Sequence, residues 1–204
     1  HPGVKFVTIN NCRFHAYKMD AVKAVGDAKV TVQALGSKLR AKGYKSAYTN
    51  EITDAKAVWA KEMERLGSIE YTGDDFDPII KARDPRTVPE FVKLTNGKIT
   101  QTAALAAIRR VIDADATIIT AGGSLPSCMQ RMWTTDKRGG YHAEYGYSCM
   151  GYEVAATLGV KFAEPESEVY CVVGDSSFQM LHSEIMTIQQ EKQKVNILVF
   201  DNCG

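Results

Sequence analysis

The stretch that decides the fold is Val169-Tyr170-Cys171-Val172-Val173 running into Gly174-Asp175-Ser176-Ser177, followed by Val195-Asn196-Ile197-Leu198-Val199-Phe200 running into Asp201-Asn202-Cys203-Gly204. Each half is a continuous apolar run ending in small polar residues, and a helix is expected between them near 181–191. Continuous rather than alternating apolar strands suit a parallel sheet covered on both faces. Two parallel strands joined by one helix form a right-handed crossover and tend to lie side by side. Asp175 and Asn202, each about two residues past its strand, then project from the same edge, where open α/β sheets bind ligands. A carboxylate, an amide oxygen and a backbone carbonyl suit magnesium, which takes oxygen ligands and shares them with phosphates. Ser176 and Ser177 offer hydroxyl and N–H donors to phosphate oxygens. Each motif alone also reads as an ordinary turn or helix cap.

Working outward, Thr117–Thr120 reads as another strand, followed by the glycine-rich turn Ala121-Gly122-Gly123-Ser124-Leu125-Pro126. Glycines there let a backbone approach a diphosphate closely. Thr100 caps a helix with Ala104, Leu105, Ile108, Val111 and Ile112 on its apolar face. A further helix is expected near 148–159. The expected class is therefore α/β, a parallel sheet with helices on both faces.

Upstream, residues 4–10 read as a short buried strand. Asp27 caps a helix over 28–42, with Val32, Leu35 and Leu39 on one face and Gly43 as its stop. A second helix is expected from Thr53, burying Val58, Trp59, Met63 and Leu66 and ending at Gly67. Residues 68–98 are rich in proline and charge with little periodicity, which reads as a linker. Three regions result: 1–43, 44–98 with one helix, and 99–204.

Composition bounds the function classes. Of 204 residues 45% are hydrophobic and 24% charged, with a formal net charge of +1, so neither nucleic acid nor an anionic membrane is implied as a partner. The apolar-leaning stretch 103–119 is broken by Arg109, Arg110, Asp113 and Asp115 and cannot span a membrane. The five cysteines show no Cys-x-x-Cys pair, so they read as reduced thiols of a cytoplasmic protein, and no histidine joins them at zinc-ligand spacing. The turn at Gly122 lacks the Gly-x-Gly-x-x-Gly spacing of a nicotinamide-binding fold.

The Gly-Asp-Ser-Ser and Asp-Asn pair resembles the signature of thiamine diphosphate enzymes, Gly-Asp-Gly followed at fixed distance by Asn-Asn. Here 202 − 175 = 27, the spacing of the acetolactate synthase and decarboxylase branch. The resemblance implies that Asp175, Asn202 and the Gly204 carbonyl bind Mg. It also implies that Gly174, Asp175, Ser176, Ser177, Asn202 and the turn Gly122, Gly123, Ser124 and Leu125 hold the diphosphate. Gly146-Tyr147-Ser148-Cys149-Met150-Gly151 is similar to the family's Gly-x-Gly-x-Met-Gly segment. That similarity implies a Ser148 carbonyl at the aminopyrimidine and a Met150 beneath the bent cofactor. Two positions depart from the pattern, Ser176 for glycine and Asp201 for asparagine.

Tyr141 to Glu153, with Met132-Trp133, resembles the branch of hydrolases in inositol breakdown that open trihydroxycyclohexanedione, a cyclic 1,2-diketone, by carbon–carbon hydrolysis. By the same resemblance the chain is a fragment. Residues 1–43 would close a central Rossmann-like domain, and 99–204 would be an incomplete diphosphate-binding domain. The glutamate that activates the cofactor would lie outside the chain, so the chain alone is expected to be inactive and no catalytic residue is assigned. Glu144 and Glu184 read as a loop contact and a helix-face residue, and His142 and His182 as candidate proton shuttles. The intact protein is expected to be a homodimer or homotetramer whose sites form between subunits. Two rival readings are an acetolactate synthase or 2-keto acid decarboxylase relative and a non-catalytic cofactor-binding module.

Overall fold

The computed structural model describes residues 3–18, 20–70 and 99–201, with positions 90, 93 and 96. Two compact units divide at Ala55 and Lys56.

The first unit pairs β1 (Val7–Asn10) with β2 (Val22–Val25) in parallel, Val7 opposite Val22. Helix α1 (Arg13–Ala16) joins them, and α2 (Ala28–Ala41) follows. Asp27 Oδ1 accepts the Val30 N–H at 2.9 Å, the expected cap. Gly43, at φ +63°, follows its end in the left-handed region that glycine adopts freely. The expected burial is absent. Strand β1 is half-buried at most, α2 buries no residue, and Leu35 is 47% exposed. Helix α3 (Asn50–Gly67) starts three residues before Thr53, and of its expected core residues only Leu66 is buried. Val58 and Trp59 are exposed, since nothing described here packs on that face.

The second unit is a sheet of four parallel strands in the order β4-β3-β5-β6: β3 (Thr117–Thr120), β4 (Tyr141–Ala143), β5 (Val169–Gly174) and β6 (Asn196–Phe200). Strand β5 lies inside the sheet and shows why its run is continuous: Val169, Cys171, Val172 and Val173 are all fully buried. Successive residues face opposite sides. On one face Ile118 and Val172 pack with Leu66, Leu105, Leu125, Met129 and Met132. These come from the end of α3, from α4 (Gln101–Arg109) and from α5 (Ser124–Met132). On the other face Cys171 and Val173 pack with Val154 and Phe178, from α6 (Tyr152–Ala163) and α7 (Asp175–Leu181). Helix α8 (Glu184–Gln190) follows. Parallel strands with helices on both sides are thus the architecture.

Thr100 Oγ1 accepts the Ala103 N–H and caps α4 as expected, but α4 ends at Arg109, leaving Val111 81% exposed. The single helix expected near 181–191 is two, and it begins at Asp175. The helix expected from 148 begins at Tyr152, because Ser148 and Gly151 sit at φ +56° and +92°, outside helical geometry. No helix among the described residues is long and apolar enough to cross a membrane. Cys12, Cys128, Cys149 and Cys171 are free thiols.

Candidate functional site

The order of the strands locates a crevice before any side chain is considered. From β3 the chain moves outward to β4, and from β5 it moves outward the other way to β6, while β3 and β5 are neighbours. Connections leaving adjacent strands in opposite directions open a cleft at their carboxyl ends. The turn at Gly122 follows β3, and Asp175 follows β5.

Strand β5 runs one residue further than expected. Gly174 still pairs with Phe200, so Asp175 is the first residue past the strand rather than the second, and it opens α7. It is half-buried, and Ser176 beside it is exposed. The first N–H groups of a helix lack intrahelical acceptors, so this turn presents donors outward. Asn202 and Gly204, the other expected metal positions, lie outside the described residues, and Asp201 is the last one described. Among the described residues no three of His, Cys, Asp and Glu cluster as metal ligands.

The turn after β3 meets the segment after β4. A Cβ on Gly122 would stand 2.5 Å from Ser148 Oγ, 3.0 Å from the Ser148 carbonyl oxygen and 3.2 Å from Met150 Cγ. Any larger residue there would have to displace Ser148. Gly123, at φ +110°, adopts a backbone that L residues rarely take. Two motifs far apart in sequence are thereby in contact, with Met150 37% exposed beside them. Leu125 is different: it is 3% exposed, and its side chain belongs to the core.

Ser148 is held in its left-handed conformation by Glu144. Its carboxylate accepts the Cys149 N–H at 2.7 Å and the Tyr147 N–H at 3.0 Å. Those N–H groups, Cys149 first, keep the Glu144 carboxyl below its ordinary range. Glu144 is thus the loop contact expected of it, and Tyr147 projects 92% exposed. Burial, and then the Glu144 charge, raise the Cys149 thiol.

Ser177 departs from the expected role. It is 2% exposed, and its hydroxyl donates to Glu153 Oε1 at 2.6 Å while accepting the Gly151 N–H at 2.8 Å. The hydroxyl is spent inside the protein. Glu153, given no site role in the sequence reading, is 1% exposed. A carboxylate followed by the apolar run Val154–Leu158, broken only by Thr157, was the available signal. His142 lies on β4 opposite Ile119. His182 Nδ1 lies 2.9 Å from the Gln179 carbonyl oxygen at the end of α7 and is exposed. Glu184 accepts from Thr187 Oγ1 at 3.1 Å on the face of α8.

Residues 121–204 match the family described as thiamine pyrophosphate enzyme, C-terminal TPP binding domain. Over all 204 residues the chain is 55% identical to a 3D-(3,5/4)-trihydroxycyclohexane-1,2-dione hydrolase of Clostridium perfringens, covering 32% of that protein. It is 54% identical to the protein of the same name from Clostridium botulinum strain Eklund 17B, again over 204 residues and 32% of the relative. A Bacillus cereus relative, 3D-(3,5/4)-trihydroxycyclohexane-1,2-dione hydrolase 1, is 50% identical over 201 residues, 98% of this chain and 31% of its own. The chain spans about a third of the length of the curated relatives it matches.

Proposed function

From the match of residues 121–204 to the C-terminal TPP binding domain of thiamine pyrophosphate enzymes, we propose that the chain is the diphosphate- and magnesium-holding part of a thiamine diphosphate-dependent hydrolase acting on trihydroxycyclohexanedione. The observation that carries the reading is the contact of Gly122 with Ser148 and Met150 at the switch point of the sheet, with Asp175 at the end of the neighbouring strand. A Cβ would fill that cradle, so the residues present fit a cofactor that lies against backbone. Gly122, Gly123, Ser124 and Leu125 approach the diphosphate through their backbones, as do Gly174 at the end of β5 and Ser176 and Ser177 in the first turn of α7. Asp175, Asn202 and the Gly204 carbonyl hold the magnesium. Ser148 presents its carbonyl to the aminopyrimidine, and Met150 supports the cofactor from below. When bound, the cofactor supplies the carbanion chemistry for carbon–carbon cleavage, and the protein supplies position and electrostatics.

The substrate reading rests on the names of relatives 50–55% identical to this chain. Because the chain spans a third of their length, we propose that residues 1–204 are inactive without the remaining parts, that the working form is a homo-oligomer, and that it is cytoplasmic. The 1–43, 44–98 and 99–204 division is part of the same proposal.

A chimera carrying residues 1–204 in place of the matching third of the Clostridium perfringens hydrolase tests the substrate. Turnover of the cyclic diketone is expected. Turnover of pyruvate alone would replace this reading with the acetolactate synthase one. Calorimetric titration of the 204-residue chain with thiamine diphosphate, with and without magnesium, tests the site. Magnesium-dependent binding lost in Asp175→Ala is expected, and binding indifferent to both would sink the metal assignment.

A further inference from the structure

Glu153 stands in the first turn of α6 with 1% of its surface exposed, beside Val154 and Thr157, which are fully buried. A buried carboxyl is costly unless its oxygens are satisfied, and an apolar side chain of similar volume would often serve packing as well or better. Here one oxygen accepts the Ser177 hydroxyl at 2.6 Å. The other, Oε2, is buried with no hydrogen-bond partner among the described residues. Packing alone therefore does not account for the residue.

Its partner shows what it does. Ser177 has one hydroxyl hydrogen. Because Oγ accepts the Gly151 N–H at 2.8 Å, that hydrogen goes to Glu153. Ser177 lies two residues after Asp175 in the opening turn of α7, and Gly151 directly follows Met150. Gly151, at φ +92°, is pressed so closely on α7 that a Cβ would stand 2.9 Å from Leu181 Cβ. Met150 and Ser148 in turn lie against Gly122. A line of contacts thus runs from the turn after β3, through the segment after β4, to the turn after β5, and Glu153 with Ser177 closes its last link.

We propose that Glu153 is a positioning residue which, through Ser177, fastens the segment Ser148–Gly151 to the turn Gly174–Ser177, so that the two cofactor-contacting loops hold one geometry. The assignment of those loops to a cofactor rests on the function proposed above, whereas the fastening itself does not. Neither residue touches the reacting atoms. A displacement of Ser177 moves Asp175 and Met150 together, and a shift of about 1 Å at such positions costs up to a hundredfold in rate.

Amide hydrogen exchange on the 204-residue chain tests the fastening. Glu153→Leu is expected to speed exchange about tenfold or more at residues 149–152 and 175–178 together, with the β5 amides unchanged. Glu153→Gln keeps an oxygen for the Ser177 hydroxyl and is expected to stay within about threefold of the parent. Should Glu153→Leu lose protection in β5, Ser177→Ala, which removes only the shared hydroxyl, carries the same expectation for both loops. A change in one loop alone, in neither, or of equal size in the Gln variant would overturn the proposal. Titration of the same proteins with thiamine diphosphate and magnesium separates the two readings. Weakening by about tenfold in the Leu and Ala variants with rescue by Gln supports positioning toward the cofactor. If the parent chain binds no cofactor, that reading fails while the exchange pattern still decides the fastening.

Discussion

Helices α2 and α4 begin in the same way, with a side-chain oxygen of Asp27 or Thr100 accepting an N–H three residues on, and both were legible from their caps. Their fates differ. Helix α4 fully buries Leu105 in a core shared with the sheet, whereas α2 buries nothing and leaves Val32 56% exposed. The contrast extends to the units that hold them. Among the described residues of 3–55 the buried hydrophobics are Ala16 and Ala21 alone, while the remainder closes a core on both faces of its sheet. Capping and periodicity decide that a helix forms. Stability beyond that requires a partner surface for its apolar face.

The sharpest test of the contrast is truncation in each unit. Val172→Ala, at a fully buried strand position, is expected to cost about 1–3 kcal/mol in thermal unfolding, whereas Leu35→Ala on α2 stays within about 0.5 kcal/mol. Equal costs would break the comparison. Next in size, Gly122→Ala is expected to weaken thiamine diphosphate binding by more than about tenfold, since the added Cβ must displace Ser148. The matching change at Gly36, whose Cβ would meet only the far end of Arg40 at 3.4 Å, is expected to raise the helicity of α2. Loss of a cap comes next. Thr100→Ala is expected to cost about 1–2 kcal/mol because Thr100 Oγ1 also donates to the Ile69 carbonyl at 2.8 Å, and Asp27→Ala about 1 kcal/mol or less.

The smallest effect is one of pH. Lys137 Nζ lies 2.7 Å from Glu164 Oε2, and hydrogen bonds from Lys137 and then Thr117 hold the Glu164 carboxyl below its ordinary value. A carboxyl depressed in the folded state stabilises above its unfolded pKa, and that contribution is lost as pH falls through the folded value. Lys137→Met is therefore expected to lower the melting temperature modestly at neutral pH, with the difference from the parent closing as pH falls below about 4.5, so that the acid limb of the profile flattens. A loss of equal size at every pH would show that Lys137 acts by packing instead.

Strand β3 was read to the residue, and β5 and β6 to within one, because buried parallel strands are continuous apolar runs. Strands β2 and β4 were missed. Tyr141-His142-Ala143 and Val22-Lys23-Ala24-Val25 are too short and too mixed to show a period. Helix α5 was missed because it opens on Gly123, which offers no capping side chain, and carries Pro126 in its first turn. At the site, the order of the motifs was legible, but the contact of Gly122 with Ser148 was not, since nothing local encodes it. That the Ser177 hydroxyl is engaged inside the protein was not legible either, because its buried partner comes from another helix.

The parallel order of the sheet also has a kinetic consequence. The pair Ile118 and Tyr141 closes a loop of 141 − 118 = 23 residues, and Tyr170 and Asn196 one of 196 − 170 = 26, whereas Thr117 and Val169 close 169 − 117 = 52. Doubling a loop adds only about 0.6 kcal/mol of closure entropy. Yet the longer closure can also proceed by joining two halves already made, β3 with β4 and β5 with β6. The hypothesis that follows is that the central seam forms last, and that the crevice between Gly122 and Asp175, which straddles it, is completed only in that final step. Pulse-labelled hydrogen exchange during refolding would show β5–β6 amides protected before β3–β5 ones, and the reverse order would refute it.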